Sequence, residues 1–198
     1  MNVRIVISTL SVLVLTCGPA SAQEGKESIA FRLKEWKSRH FDSVEEAEQQ
    51  VQTLKKLGCE TMVEQHSGHT DVTFRAVRWT DISTDTHEAA DRWEQWMISN
   101  GFQTLHGHAH EPSRDAVAVR FHSTEWQSQH FDHESQAAEF AAMCRGLGCD
   151  VTTGAHSGHS DVRYRCAAAR SLVCADHEQA HSIQSWLEKK GFQTEHAH

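Results

Sequence analysis

The sequence has little proline, a single tyrosine and no long hydrophobic run beyond its first residues. Two prolines and one tyrosine occur in 198 residues. After residue 16 no segment approaches the roughly 20 apolar residues that a membrane-spanning helix needs, so we expect no transmembrane helix. Basic residues are also few: 19 Lys and Arg stand against 27 Asp and Glu, for a formal net charge of -8. This acidity argues against nucleic acids and anionic membrane surfaces as partners.

Residues 1–22 have the three parts of a cleaved secretion signal. Arg4 supplies the positive charge, residues 5–16 form an apolar run too short to cross a bilayer, and residues 20–22 read ASA, an A-x-A cleavage site. The signal is of bacterial style. We therefore expect a mature chain that starts at Gln23 and is periplasmic or secreted.

Cysteine is confined to a few positions. In an exported protein, the cysteines after the predicted cleavage site are expected to form disulfides. Cys59 stands apart from the others in sequence and is expected to be free or to join two chains. The five are Cys59, Cys144, Cys149, Cys166 and Cys174.

Histidine, in contrast, is abundant, and six histidines occur in duplicate. Residues 29–108 and 119–198 are one module written twice, at a constant offset of 90 residues without a gap. The 80 aligned pairs contain 28 identities, although most helix-surface positions differ. Because the imidazoles stay at fixed positions while the helix surfaces diverge, we expect the function of the module to involve these imidazoles. The pairs are His40/His130, His66/His156, His69/His159, His87/His177, His106/His196 and His108/His198.

The periodicity of each module predicts the order βαββαβ. Alternating apolar residues predict a strand over 29–35, and the capping box from Ser43 to Glu46 starts a helix that Gly58 ends. Two strands then flank the turn at 66–69, a second helix covers about 86–100, and a last strand covers 102–108.

This order predicts an α+β fold made by tandem duplication of a ferredoxin-like module. Each copy is expected to be a four-stranded antiparallel sheet with two helices on one face. We place repeat 1 at 27–110, a linker containing Pro112 at 111–116, and repeat 2 at 117–198.

A two-residue turn at Ser67-Gly68 fixes the register of the central hairpin. Glu60 then faces Arg75 as an ion pair. In repeat 2 the same register places Cys149 opposite Cys166, in a position close enough for a disulfide. We predict that bond, with Cys144 to Cys174 as the remaining pairing.

The fold sorts the duplicated histidines into two ends, of which the hairpin end is the stronger metal-site candidate. Neutral imidazole suits zinc, copper and nickel, and the predicted turn places His66 beside His69. His40 would be the third ligand if its loop folds over the hairpin, with Asp42 or Asp71 as a fourth ligand or an orienting partner. The predicted metal ligands are His40, His66 and His69 in repeat 1 and His130, His156 and His159 in repeat 2.

The opposite end supplies secondary metal-ligand candidates. His106 and His108 alternate onto one face of the last strand, but His87 opens a helix, and a helix N-terminus is unfavourable for a cation. A capping or anion-contacting role is the alternative for His87. The secondary candidates are His87, His106, His108, His177, His196 and His198.

Each repeat also resembles the SPOR-type modules of bacterial envelope proteins. The resemblance lies in a strand, a helix with Glu45-Glu46-Ala47 that ends at Leu57-Gly58, a strand of the form 162–165, and a helix that ends at Gly191-Phe192. It implies a βαββαβ fold and binding of peptidoglycan glycan strands. The histidines are not part of this pattern.

The sequence thus predicts an exported, histidine-rich protein that binds a divalent transition metal, for buffering or delivery. The alternative is a module that binds cell-wall glycan or an envelope protein, with the histidines as polar contacts. With no GxSxG motif and no glycine-rich phosphate loop, we expect no enzyme.

Overall fold

The computed structural model describes residues 26–66, 68–110, 112–113 and 115–197, with the backbone alone at 196 and 197. The predicted signal peptide at 1–22 lies outside these residues, as does His198. No helix within the described ranges is long and apolar enough to span a bilayer.

Two α+β repeats form the fold, as predicted. Each is a four-stranded antiparallel sheet with two helices, and the strand orders are β2-β3-β1-β4 and β6-β7-β5-β8. The elements of repeat 1 are β1 (Glu27–Phe41), α1 (Val44–Lys56), β2 (Glu60–His66), β3 (His69–Thr84), α2 (His87–Ser99) and β4 (Gln103–Leu105). Those of repeat 2 are β5 (Ala118–Phe131), α3 (Glu134–Gly146), β6 (Asp150–His156), β7 (His159–Val173), α4 (His177–Lys189) and β8 (Gln193–Ala197).

Local capping signals set where the helices begin and end. The Ser43 side chain accepts a hydrogen bond from the Glu46 N–H at 3.3 Å, which begins α1. Thr86 caps α2 in the same way through the Ala89 N–H. Gly58 follows α1 at φ 75°, a conformation that glycine adopts without strain.

The core of each repeat lies between its sheet and its two helices. In repeat 1 the alternating side chains Ile29, Phe31 and Leu33 of β1 are buried with Leu54 of α1 and Met97 of α2. Repeat 2 builds the equivalent core from its own elements. Burial of this alternating face stabilises the fold by roughly 25 cal/mol per Å² of apolar surface.

The predicted hairpin register is confirmed in both repeats. Glu60 pairs with Arg75 and His66 with His69. The corresponding pairs of repeat 2 run from Asp150 with Arg165 to His156 with His159.

Neither predicted disulfide is present, because all five described cysteines are free thiols. The register does bring Cys149 and Cys166 together, but their sulfur atoms interact as hydrogen-bonded thiols. Cys144 is not paired with Cys174, whose sulfur instead lies 3.7 Å from the Leu172 carbonyl oxygen. Burial raises the pKa of the Cys144 thiol to about 12, so it is protonated and serves as core packing.

Strand β1 is longer than predicted, and this changes the position of His40. Register shifts between Phe31 and Lys37 let the strand continue to Phe41. His40 therefore lies on the strand and pairs with Asp71 of β3, whereas the sequence predicted a loop folding over the hairpin. The same irregularity recurs in β5 of repeat 2.

Repeat 2 packs its helix α3 against the sheet of repeat 1. Arg145 at the end of α3 makes a bidentate ion pair with Asp81 of β3, in which Arg145 Nη2 lies 2.8 Å from Asp81 Oδ1. Gly146 approaches so closely that an added Cβ would lie 2.5 Å from the backbone nitrogen of Ala30. The candidate site described below lies next to this contact between the two repeats, because Gly107 also bonds to Gly146.

Candidate metal centre

Four metal-ligating side chains of repeat 1 converge where helix α2 begins. His87 is the first residue of α2 and Asp91 lies one turn later on the same helix face. His106 and His108 come directly after β4, with ring centroids 4.3 Å apart. One ligand atom of each residue lies within 4.8 Å of those of the other three. We call these four residues the helix-end cluster.

Each residue of the helix-end cluster has one buried nitrogen or oxygen atom without a hydrogen-bond partner among the described residues. Leaving one buried polar atom unsatisfied costs about 1–3 kcal/mol, so folded proteins rarely keep several at one point. A bound cation would give all four a partner at once. The atoms are His87 Nε2, Asp91 Oδ1, His106 Nε2 and His108 Nδ1.

The donor set fits a first-row divalent ion. Zinc binds imidazole nitrogen and carboxylate oxygen at about 2.0–2.2 Å, which places tetrahedral ligand atoms roughly 3.4 Å apart. The present separations are within 4.8 Å, so side-chain movements on the order of 1 Å close the site. His110 lies beside it, its ring centroid 4.7 Å from that of His87, and offers a further imidazole.

Glu94 of α2 orients the buried histidine. Its carboxylate lies 3.1 Å from His106 Nδ1 and accepts a second hydrogen bond, also 3.1 Å, from the Thr104 hydroxyl. The contact with Glu94 engages Nδ1, which also lies 3.9 Å from Asp91 Oδ1, and leaves Nε2 of His106 without a hydrogen bond. Carboxylates that hold one ring nitrogen of a histidine in this way are common beside metal sites. Burial alone would raise the pKa of Glu94, but the hydrogen bond and charge of His106, with the charge of His108, lower it.

The carboxylates of this region offset the positive end of the α2 dipole. The sequence placed a helix N-terminus here and therefore ranked the site second. In the structure Asp91 and Glu94 lie within the first two turns, and Glu27 Oε2 of β1 lies 3.7 Å from His106 Nε2. Three nearby carboxylates make a dication electrostatically acceptable at this position.

Acid should destabilise the metal-free protein through His108. Burial, with the charge of His106, lowers the pKa of His108 to about 4 from an ordinary value of 6.5. The unfolded chain therefore takes up this proton first, and stability falls as the pH drops from about 6.5 toward 4. Urea unfolding of the metal-free protein at pH 7 and pH 5 should show a larger loss in wild type than in His108→Gln. Equal losses would contradict this assignment.

The hairpin end of repeat 1 holds a second, exposed cluster of histidines and aspartates. His40 Nδ1 lies 2.7 Å from Asp71, and His69 Nδ1 lies 2.9 Å from Asp42. His66 Nε2 lies 3.5 Å from Asp71. One possible ligand group has atoms within 4.8 Å of one another and consists of His40, Asp42 and His69, two imidazoles and one carboxylate. The predicted ligand His66 is not part of this group.

The hairpin end of repeat 2 repeats this arrangement. His130 and His156 both contact Asp161, at 2.8 Å and 2.9 Å, and His159 lies 3.3 Å from Asp132. His130, His156 and Asp161 form one possible ligand group, and His130, Asp132 and His159 form another. Both hairpin-end clusters are exposed, and the duplicated aspartates contact the imidazoles, although His159 Nδ1 makes no hydrogen bond among the described residues.

Repeat 2 has a histidine motif at the position that corresponds to the start of α2. It does not appear among the duplicated histidine pairs, because its second histidine has an aspartate as its counterpart in repeat 1. Residues 177–181 read HEQAH, the HExxH pattern that places two zinc-binding imidazoles one helical turn apart. In repeat 1 the corresponding letters are HEAAD, so Asp91 is the counterpart of His181. His177, Glu178 and His181 lie on exposed positions of α4, and the backbone of His196 pairs with Val119. His198 lies outside the described residues.

Comparisons with known proteins add no family to this geometry. No family model matches the chain, and no curated protein matches it. The resemblance to SPOR-type modules therefore rests only on the sequence pattern given above.

Proposed function

We propose that this protein binds a divalent first-row transition metal ion in the helix-end cluster, as a metal buffer or metal-delivery protein. The observation that carries the proposal is the convergence of four metal-ligating side chains within 4.8 Å, each of which also has a buried polar atom without a hydrogen bond among the described residues. Three imidazoles and one carboxylate are a donor set suited to zinc, copper or nickel.

The hairpin-end clusters are proposed as weaker, exchangeable sites. Their histidine side chains are about half exposed, as for His40 at 54%. Metal there must compete with water and with aspartate hydrogen bonds that already hold the imidazoles. The helix-end cluster is less exposed at its histidines, with the His106 side chain fully buried and that of His108 15% exposed, so it should fill first as metal is added.

Alanine at the hairpin tips separates the two kinds of site. The variant His66→Ala/His69→Ala/His156→Ala/His159→Ala should keep one tightly bound zinc per chain and lose only weak additional uptake. Zinc titration against a competing chelator measures both classes. If this variant lost the tight site, the principal metal centre would lie at the hairpins. If the variant and wild type took up equal amounts of zinc, copper and nickel, the hairpin histidines would have no role in metal binding.

Glu94 should control affinity without binding the metal itself. Replacing Glu94 with Gln weakens the acceptor that orients His106, and such outer partners typically contribute about 10–100-fold in metal affinity. We expect a zinc affinity reduced by that range with unchanged stoichiometry. Glu88→Gln is the matched control, because Glu88 lies on the same helix but pairs with Arg92 on the surface. Equal affinities of the two variants would exclude the orienting role.

We further propose that the binding takes place outside the cytoplasm. The support is the signal-like composition of residues 1–22, which lie outside the described residues. Cell fractionation and N-terminal sequencing test this, with a mature terminus at Gln23 as the expected result and retention of residues 1–22 in the cytoplasm as the contrary one.

A further inference from the structure

We propose that metal binding in the helix-end cluster and the docking of repeat 2 onto repeat 1 are one linked equilibrium, so that metal loss loosens the two repeats. This inference rests on the proposed metal function. Two of the four ligands belong to a helix of repeat 1, and the other two belong to a segment that repeat 2 holds in place.

The ligand-bearing segment leaves its own sheet to reach repeat 2. Strand β4 stops at Leu105, and the Gly107 N–H then donates to the Gly146 carbonyl of α3 at 2.9 Å. His108 pairs with Ser171 of β7 through two backbone hydrogen bonds, each 2.9 Å. Repeat 2 thus holds the backbone at Gly107, between the two ligands, and at His108 itself.

The counterpart segment of repeat 2 shows that this path is specific to repeat 1. There β8 continues in register, with Ala197 paired to Ala118 of its own sheet. Ala197 stands at the position of Gly107, where an added Cβ would lie only 2.2 Å from the Leu147 carbonyl oxygen. Glycine at 107 is therefore what lets repeat 2 approach the metal-ligand segment.

A chain of charges also joins repeat 2 to the buried ligand. Arg170 of β7 lies 3.8 Å from Glu27, and the same carboxylate lies 3.7 Å from His106 Nε2. Arg170 Nη1 also reaches the Gly107 carbonyl oxygen at 3.5 Å. The counterparts at the duplicated positions are Thr80 for Arg170 and Val117 for Glu27, so the duplicated module has no equivalent pair.

A metal ion bound to all four side chains therefore ties α2 to a segment anchored on repeat 2. Docking prearranges His106 and His108, and metal in turn holds the docked arrangement. By linkage the two effects must be equal in size, and couplings between such sites typically amount to about 5–150-fold in affinity.

The first test breaks the docking contact far from the ligands. Arg145→Gln removes the ion pair with Asp81, and the control Arg75→Gln removes the cross-strand pair with Glu60 inside repeat 1. Zinc affinity is measured by chelator competition on the full-length mature chain. We expect Arg145→Gln to bind zinc about tenfold more weakly at unchanged stoichiometry, and Arg75→Gln to match wild type.

The second test uses the wild-type protein and does not depend on a variant that folds. Zinc should slow amide hydrogen exchange in the β7 segment around Ser171, which belongs to repeat 2 and contributes no ligand. Zinc that binds tightly to wild type without this protection overturns the linkage and leaves the proposed function standing, and so does equal zinc affinity of Arg145→Gln and wild type in the first test. Absence of tight zinc binding in wild type overturns the proposed function itself.

Discussion

His106→Ala should abolish tight zinc binding. The variant loses the most deeply buried of the four ligands, whose residue is 2% exposed, and leaves a cavity that water enters. A three-ligand remnant at this position is expected to bind zinc at least about 100-fold more weakly, since even outer partners of metal ligands contribute 10–100-fold. Chelator competition with purified protein measures the change.

The matched control for this prediction is His133→Ala. His133 precedes α3, and its side chain makes no capping hydrogen bond. It should bind zinc with the affinity of wild type. If both variants kept the tight site, the helix-end cluster would not be the metal centre.

Zinc should raise the melting temperature of the wild-type protein substantially. Ligand that binds only the folded state at about 1,000 times its dissociation constant stabilises it by about 4 kcal/mol. For a chain of this length each kcal/mol corresponds to about 2–4 °C, so we expect a rise of roughly 8–16 °C. The physical source is the satisfaction of four buried polar atoms that otherwise reduce stability.

The double variant His87→Ala/His108→Ala separates this effect from non-specific stabilisation by zinc. It removes one ligand from the helix and one from the segment after β4, and should melt at the same temperature with and without zinc. The hairpin-tip variant with four alanines should keep the full rise. A rise that follows the hairpin histidines would transfer the stabilising site to the exposed clusters.

The fold could be predicted because its signals are local. Capping by Ser43, the glycine after α1 and the alternation along β1 each depend on residues a few positions apart. The hairpin register follows from one turn, and its consequence for Glu60 and Arg75 is confirmed. What local signals could not supply is the irregular register that extends β1 to His40.

Which of the two ends of a repeat is the better metal site could not be predicted from the duplicated residues alone. The identical histidine pairs indicate both ends, but Asp91, Glu94 and Glu27 are not duplicated, so a comparison of the two repeats does not identify them. These carboxylates offset the helix dipole that made His87 look unfavourable. The path of His106 and His108 depends on Gly146 and Ser171 of the other repeat, contacts that no pattern within one repeat predicts. The hairpin-end ligands stay a prediction.

The cysteine prediction failed for a related reason. Register correctly brought Cys149 beside Cys166, but adjacency does not by itself make a bond. Cys144 was assigned to Cys174 by elimination, and the fold places Cys144 in the core near Cys149 and Cys166 instead.

X-ray absorption at the zinc edge tests the central claim most directly. The protein loaded with one zinc per chain should show four nitrogen or oxygen neighbours at about 2.0–2.1 Å, with the outer scattering of three imidazoles. In Asp91→Asn the imidazole scattering should persist while the affinity falls. A sulfur neighbour at about 2.3 Å, or a zinc surrounded mainly by water, would contradict a centre built from His87, Asp91, His106 and His108.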